Sequence, residues 1–171
     1  MAATQDPEAW ENTGKAPALA NDGWFVLPGK YVYAAGGYTG GARRAEVERA
    51  TINADGSISD FASANRTLIT ARNGDRSIVH DGAVYVIGGL GSGGGIKTIE
   101  RAEVNADGTL GPFVQLAQQL ATDRHSMSPL VIGDYLYILG GHSDSCTCDP
   151  TQIERYRLPN VGTGTASVEV R

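Results

Sequence analysis

The chain has 171 residues, a net charge of −5 and 41% hydrophobic residues, which suits one globular domain or slightly more with a core of its own. No run of Lys or Arg is dense enough to neutralise a phosphate backbone, no apolar run is long enough to span a bilayer, and residues 1–7 lack the pattern of a signal peptide, so we expect neither a nucleic-acid partner nor membrane insertion. Glycine occurs 23 times, which indicates many tight turns between short strands.

A repeat of 52 residues runs along the chain. Double glycines follow strand-like stretches at Gly36-Gly37, Gly88-Gly89 and Gly140-Gly141. Other residues recur at the same or nearly the same spacing: Glu48-Arg49, Glu100-Arg101 and Glu154-Arg155, then Phe61 and Phe113, and Arg72 and Arg124. So many matched offsets predict three consecutive copies of one structural unit.

Each unit is predicted to hold four short antiparallel strands, labelled a to d. In the second unit strand a covers Ser77 to His80 and strand b covers Ala83 to Ile87, with a turn between them. Strand c covers Ile99 to Val104, Asp107-Gly108 predicts a hairpin turn, and strand d carries Phe113. No window has the apolar period of a helix, so the fold class is all-β.

The double glycine after strand b, the later aromatic-containing strand and the arginine before the next unit resemble the kelch repeat, in the form of bacterial and phage kelch-like repeats. The resemblance covers about residues 21–158, with Phe61 and Phe113 where the family typically has Trp. It implies β-propeller blades of four antiparallel strands, three per chain. Because propeller rings need at least four blades, we expect a second chain to complete a six-bladed ring; a fragment of a longer propeller and a subunit of a larger assembly are the alternatives.

The repeat divides the chain into five segments. They are an N-terminal segment at 1–20, blade 1 at 21–72, blade 2 at 73–124, an incomplete blade 3 at 125–158 and a C-terminal tail at 159–171. Trp10 lies close to one period before Phe61, so the N-terminal segment is either a spare strand d or a polar leader. The tail is either a closing strand or a linker.

The three units differ most in the loop between strands b and c. In an antiparallel meander this loop and the loop from strand d to the next strand a emerge on one face, and kelch-like propellers commonly bind partners there. The candidate binding residues on that face are Tyr38, Arg43, Arg44, Arg72, Arg124, His125, His142 and Asp144. Arginines bind carboxylates through paired hydrogen bonds, which predicts a protein or small acidic ligand. The alternative is that the loop arginines are solvated and that Arg72 and Arg124, which repeat, build the blade.

The third loop, residues 142–150, carries Cys146 and Cys148. The sequence leaves three states open for them: free thiols, a disulfide to another chain, or metal ligands. A Cys-x-Cys spacing is not that of a zinc knuckle, so we assign no metal and no cofactor.

No catalytic motif is present, which favours a non-enzymatic binding module. The alternatives are a structural subunit of a cell-surface or virion assembly and, less favoured, a sugar-active or isomerase-type propeller enzyme. An extracellular, cell-surface or virion location is favoured over a cytoplasmic one.

Overall fold

A computed structural model describes residues 16–18, 23–145 and 151–159. Thirteen strands form within these ranges: β1 Gly23–Leu27, β2 Tyr31–Thr39, β3 Ala42–Thr51, β4 Ala62–Arg72, β5 Arg76–His80, β6 Ala83–Ile87, β7 Leu90–Gly91, β8 Gly94–Gly95, β9 Thr98–Glu103, β10 Val114–Gln119, β11 Ser128–Ile132, β12 Tyr135–Leu139 and β13 Glu154–Arg157. Every strand pair is antiparallel, which confirms the all-β prediction. Across the described ranges, no helix has the length and apolar character needed to cross a membrane.

The strands form three meandering sheets and a small ribbon. The first sheet has the order β1-β2-β3-β4, the second β5-β6-β9-β10 and the third β11-β12-β13. The ribbon of β7 and β8 lies in the connection between β6 and β9. Apart from that ribbon, neighbours in each sheet follow one another along the chain.

The strands predicted for the second unit are confirmed with small shifts. β5 begins one residue earlier than expected, β6 matches, and the third strand is Thr98–Glu103. Val104 instead forms an isolated bridge with Leu110, which closes the Asp107-Gly108 turn. Phe113 lies just before β10 rather than within it, and its ring is buried in the core between the first and second sheets.

Each sheet has two faces, which we name by a repeated residue. Residues directly opposite each other on paired strands share a face. The tyrosine face carries Tyr33, Tyr85 or Tyr137, and the glutamate face carries Glu48, Glu100 or Glu154. In the first sheet, for example, Phe25 is opposite Tyr33 on the tyrosine face, and Trp24 is opposite Ala34 on the glutamate face.

The sheets pack in one repeated direction. The tyrosine face of the first sheet packs against the glutamate face of the second, in a core that includes Phe25, Tyr33, Val47, Val84, Val86 and Phe113. The tyrosine face of the second sheet packs against the glutamate face of the third, in a core that includes Tyr85, Ile87, Ile99, Leu136 and Ile138. Strand β6 is therefore buried on both sides along its full length. Strand β5, at one edge of the second sheet, contacts the edge strands β1 and β11 of the other two sheets.

Candidate binding groove

A groove of about 630 Å³ opens where the first sheet meets the junctions leading into the second and third sheets. Its lining residues are Trp24, Asn73, Gly74, Arg76, Leu90, His125 and Ser126. One aromatic side chain, one guanidinium, one imidazole and one amide thus share a concave surface. A few polar groups around an apolar wall are typical of small-ligand sites.

Backbone bridges fix the two junctions. Asn73 and Leu90 exchange hydrogen bonds of 3.1 and 2.7 Å between their main-chain N and O atoms, and His125 and His142 repeat this exchange at 3.0 Å in both directions. In each case a residue that follows a buried arginine pairs with the residue that follows a double glycine. The second glycine of each pair is required for this approach, since a Cβ on Gly89 would lie 2.9 Å from the carbonyl oxygen of Asn73 and one on Gly141 would lie 2.7 Å from that of His125.

The two junctions also bind each other. The main-chain N–H of Ser126 donates to the carbonyl of Gly74 at 2.8 Å. Ser126 has a φ of +54°, a left-handed conformation that few non-glycine residues adopt. A Cβ on Gly74 would be 3.4 Å from the Cβ of His125, so the junctions are in close contact. Main-chain contacts therefore fix the backbone at the base of the groove, and the side chains that line the groove project from this backbone.

The side chains of the groove have different degrees of support. Trp24 is 46% exposed, and its ring meets Phe61 edge-on with 5.6 Å between ring centroids. Arg76 donates from Nη1 to the carbonyl of Asp75 at 2.8 Å, and this bond does not involve its Nε and Nη2 atoms. The indole therefore offers a flat apolar surface and Arg76 offers a positive charge.

The hairpin between β2 and β3 adds a second arginine. Tyr38 and Arg43 are opposite each other in this hairpin, and Arg43 donates from Nε to Oδ1 of Asn73 at 3.0 Å. Arg43 is thus tied to a groove residue. Arg44 lies 4.0 Å from Glu46, a distance that brings little stabilisation at an exposed position.

Arg72 and Arg124 do not lie on this surface. Both are fully buried. Arg72 pairs with Glu100 and donates to the carbonyl of Gly88 at 2.9 Å, while Arg124 donates to Gly140 at 3.1 Å. Arg124 also pairs with Glu154 at 3.0 Å. Neither arginine is therefore available to a ligand at this surface, because its guanidinium group binds the neighbouring sheet. In the sequence, Arg72 and Arg124 recur with the same repeat as Glu100 and Glu154, and this recurrence could have indicated the two ion pairs.

The third loop is anchored by Asp123. Its carboxylate accepts hydrogen bonds from the Ser143 hydroxyl at 3.0 Å, from the Asp144 main-chain N–H at 2.9 Å and from the Ser145 hydroxyl. Burial on its own would raise the pKa of Asp123, but the bonds from Ser145, Asp144 and Ser143 outweigh it and lower the pKa below its ordinary value. Asp123 is therefore held as a carboxylate that fixes the start of the loop.

His125, Ser126 and Asp144 lie close together without forming a catalytic triad. The Nδ1 atom of His125 is 3.3 Å from the Ser126 hydroxyl, and its Nε2 atom is 3.9 Å from Asp144. The second distance is longer than a hydrogen bond. His142 is exposed, and its ring centroid is 5.5 Å from that of His125. No connected series of hydrogen bonds therefore runs from the Asp144 carboxylate through His125 to the Ser126 hydroxyl.

The groove residues Trp24, Asn73, Arg76 and Leu90 were not among the predicted binding residues. Trp24 has its counterparts at Ser77 and Pro129, judged by the residue opposite each on strand b. An aromatic residue at a place that varies between units was therefore an available signal. Attention to the loops alone missed it, because Trp24 is on a strand.

Within the described ranges, no three side chains of His, Cys, Asp or Glu come together as a metal site. Cys146 and Cys148 lie outside the described residues, as do Trp10 and the tail at 160–171, so the predictions for them stay predictions. No protein-family model matches the chain, and a search of curated proteins finds no significant match.

Proposed function

We propose that the chain is a non-enzymatic binding module built of three kelch-type propeller blades. The first sheet corresponds to blade 1, the second to blade 2 and the third to the incomplete blade 3. The repeated direction of packing and the contacts of β5 with β1 and β11 support this arrangement. A second chain would complete the ring.

The ligand that suits the groove is an acidic one with a flat apolar part. The observation that carries the proposal is the convergence of Trp24, Arg76 and His125 on one groove. A carboxylate near Arg76 would gain a charge-assisted hydrogen bond, and an apolar group would cover the exposed indole of Trp24. Both a short acidic protein segment and a small aromatic acid have this chemistry.

Benzoate tests the proposal, with uncharged benzamide as the matched probe. We expect benzoate to shift the NMR signals of the Trp24 indole and the His125 ring at millimolar concentration, and benzamide to bind about 10-fold or more weakly because it lacks the charge. Arg76→Gln should remove the difference between the two probes. Arg157→Gln, at the opposite end of the third sheet, should preserve it.

Equal binding of benzoate and benzamide would refute an acidic ligand at this groove. Shifts that arise at Arg157 rather than at Trp24 would place the site elsewhere. A binding difference that survives Arg76→Gln would also contradict the role given to this arginine.

A structural subunit is the second candidate, and one observation favours it. Leu130 and Ile132 on β11, and Ile153 before β13, are all at least half exposed. Such apolar patches mark contact surfaces between proteins. If the chain is mainly structural, loss of this patch should abolish assembly while benzoate has no specific effect.

A further inference from the structure

The tyrosine face repeats three times along the chain, but only two of its copies are covered. The residue before the repeated glutamate is Val47, Ile99 or Ile153. Val47 and Ile99 are each 1% exposed, whereas Ile153 is 62% exposed. Likewise Tyr33 and Tyr85 are fully buried, while Tyr137 is partly exposed. The third sheet thus presents the same side chains that the first two sheets bury.

The glutamate face shows the reverse pattern. Phe113 and Leu110 of the second unit are buried against the first sheet, but their counterparts Phe61 and Ile58 are only partly buried. Trp24 and Val26 on this face of the first sheet are about half exposed. Within the described residues, the glutamate face of the first sheet and the tyrosine face of the third are therefore the two faces that no sheet covers.

A third contact identifies what belongs on the first sheet. Glu100 accepts the main-chain N–H of Thr70 at 3.0 Å, and Glu154 accepts that of Thr122 at 3.3 Å. Glu48 accepts the N–H of Ala18 at 3.1 Å, and Ala18 is 52 residues before Thr70. Thr70 is on β4, the outer strand of the sheet that covers the glutamate face of the second sheet. Ala18 thus occupies the place where the outer strand of a preceding sheet ends.

We propose, on the basis of the blade arrangement above, that a second copy of this chain covers both open faces. The tyrosine face of the third sheet in one copy packs against the glutamate face of the first sheet in the other, and Ala18 lies at that junction. The two junctions are equivalent by a two-fold axis and continue the packing already seen twice within one chain. A single kind of contact then joins all six sheets.

The occupant is a second copy because its surface is complementary at a matched position. Tyr33 donates from its hydroxyl to the carbonyl of Gly108 at 2.7 Å, in the turn that ends strand c of the next sheet. The corresponding pair at the new junction is Tyr137 of one copy, 104 residues after Tyr33, and Gly56 of the other, 52 residues before Gly108. The apolar side chains Leu130 and Ile132 supply the buried area.

Light scattering of the purified chain, followed by two surface variants, tests this junction. We expect twice the 17.9 kDa mass of one chain. Ile153→Glu alters the third sheet and Val26→Lys alters the first, and each should weaken the dimer about 100-fold or more, because a charge is buried without a partner. Both side chains are largely exposed in the single chain, so each variant should still fold. Val114→Glu, at a half-exposed position of the second sheet, is the matched control and should remain a dimer.

Mixing the two variants distinguishes a head-to-tail junction from a symmetric contact of one face with itself. A mixture of Ile153→Glu and Val26→Lys keeps one junction of two unaltered faces, so we expect a heterodimer from two monomeric variants. A monomeric unaltered chain, a dimeric Ile153→Glu variant or a dimeric Val26→Lys variant would each overturn the proposal. Benzoate binding reports on the groove separately: Ile153→Glu should retain it and Arg76→Gln should retain the dimer.

Discussion

Replacing Glu100 by glutamine removes the negative charge from a buried ion pair. Both side chains of the Arg72–Glu100 pair are fully buried. The carboxylate of Glu100 also accepts the main-chain N–H groups of Ile69 at 2.7 Å and Thr70 at 3.0 Å. The glutamine side chain would keep one acceptor oxygen, but its NH₂ group would face one of the N–H groups that Glu100 now accepts. The Arg72 guanidinium would stay buried without an opposite charge.

The repeat supplies a graded series for this substitution. Breaking a buried pair by removing one partner costs about 3–5 kcal/mol, which we expect for Glu100→Gln. The Glu154 side chain is 17% exposed, so water compensates in part and the cost should be about 1.5–3 kcal/mol. The 52-residue repeat aligns Arg72 with Ala20, which carries no charge, so Glu48→Gln should cost less than about 1 kcal/mol.

Urea unfolding measures the three costs on one scale. With a slope of about 2 kcal/mol per molar urea, Glu100→Gln should lower the midpoint by roughly 1.5–2.5 M, and Glu48→Gln by less than about 0.5 M. The measurements belong at one protein concentration, because association shifts apparent stability. Equal costs for Glu100→Gln and Glu48→Gln would refute the argument, since they would show that the buried arginine does not decide the penalty.

Two further predictions concern the junctions and the third loop. Gly88 and Gly82 both have positive φ values, but of the two only Gly88 would place a Cβ against a main-chain oxygen, that of Arg124. We expect Gly82→Ala to lower the free energy of unfolding in urea by about 1 kcal/mol and Gly88→Ala to lower it by more than about 3 kcal/mol. Equal costs would contradict the close contact between Gly88 and Arg124. Burial alone would raise the pKa of Asp123, but its hydrogen bonds lower the pKa in the folded protein below that in the unfolded chain. The carboxylate therefore contributes to stability at pH values above its pKa in the unfolded chain, and this contribution is lost as the pH falls through its pKa in the folded protein. Hydrogen exchange at the Asp144 amide, corrected for intrinsic rates, should thus accelerate only below about pH 4. The variant Asp123→Asn should accelerate this exchange at neutral pH. Unchanged protection of the amide in that variant would show that the carboxylate does not hold the loop.

Much of the fold could be predicted because each unit carries its own local signals. Aromatic and β-branched residues and the turn at Asp81-Gly82 define β5 and β6 almost to the residue. The direction in which sheets stack could not be obtained in this way, because it depends on which of two apolar faces meets which. Val84 and Tyr85 look equally suited to a core, and only the packing places them against different neighbours.

The candidate site was harder to predict, for a related reason. Arg43, His125 and Asp144 lie in or near the groove because loops of different units converge there. Arg72, at the end of β4, and Arg124 lie beside these loops but turn inward, since Glu100 and Glu154 lie on the adjoining sheet. A sequence places a residue on a loop, but the charge across the interface decides whether its side chain points to solvent.

Strand β6 has a consequence for how this chain is made. Its five residues, Ala83 to Ile87, are apolar on both sides and become covered only when the first and third sheets flank them. During synthesis this segment emerges before the third sheet exists, so for that interval one of its faces has no partner. Short, uncharged, β-branched segments of this kind are the ones that pair with other chains when left exposed. We therefore expect slow synthesis of the third unit to lower the yield of folded protein, because it prolongs this exposure.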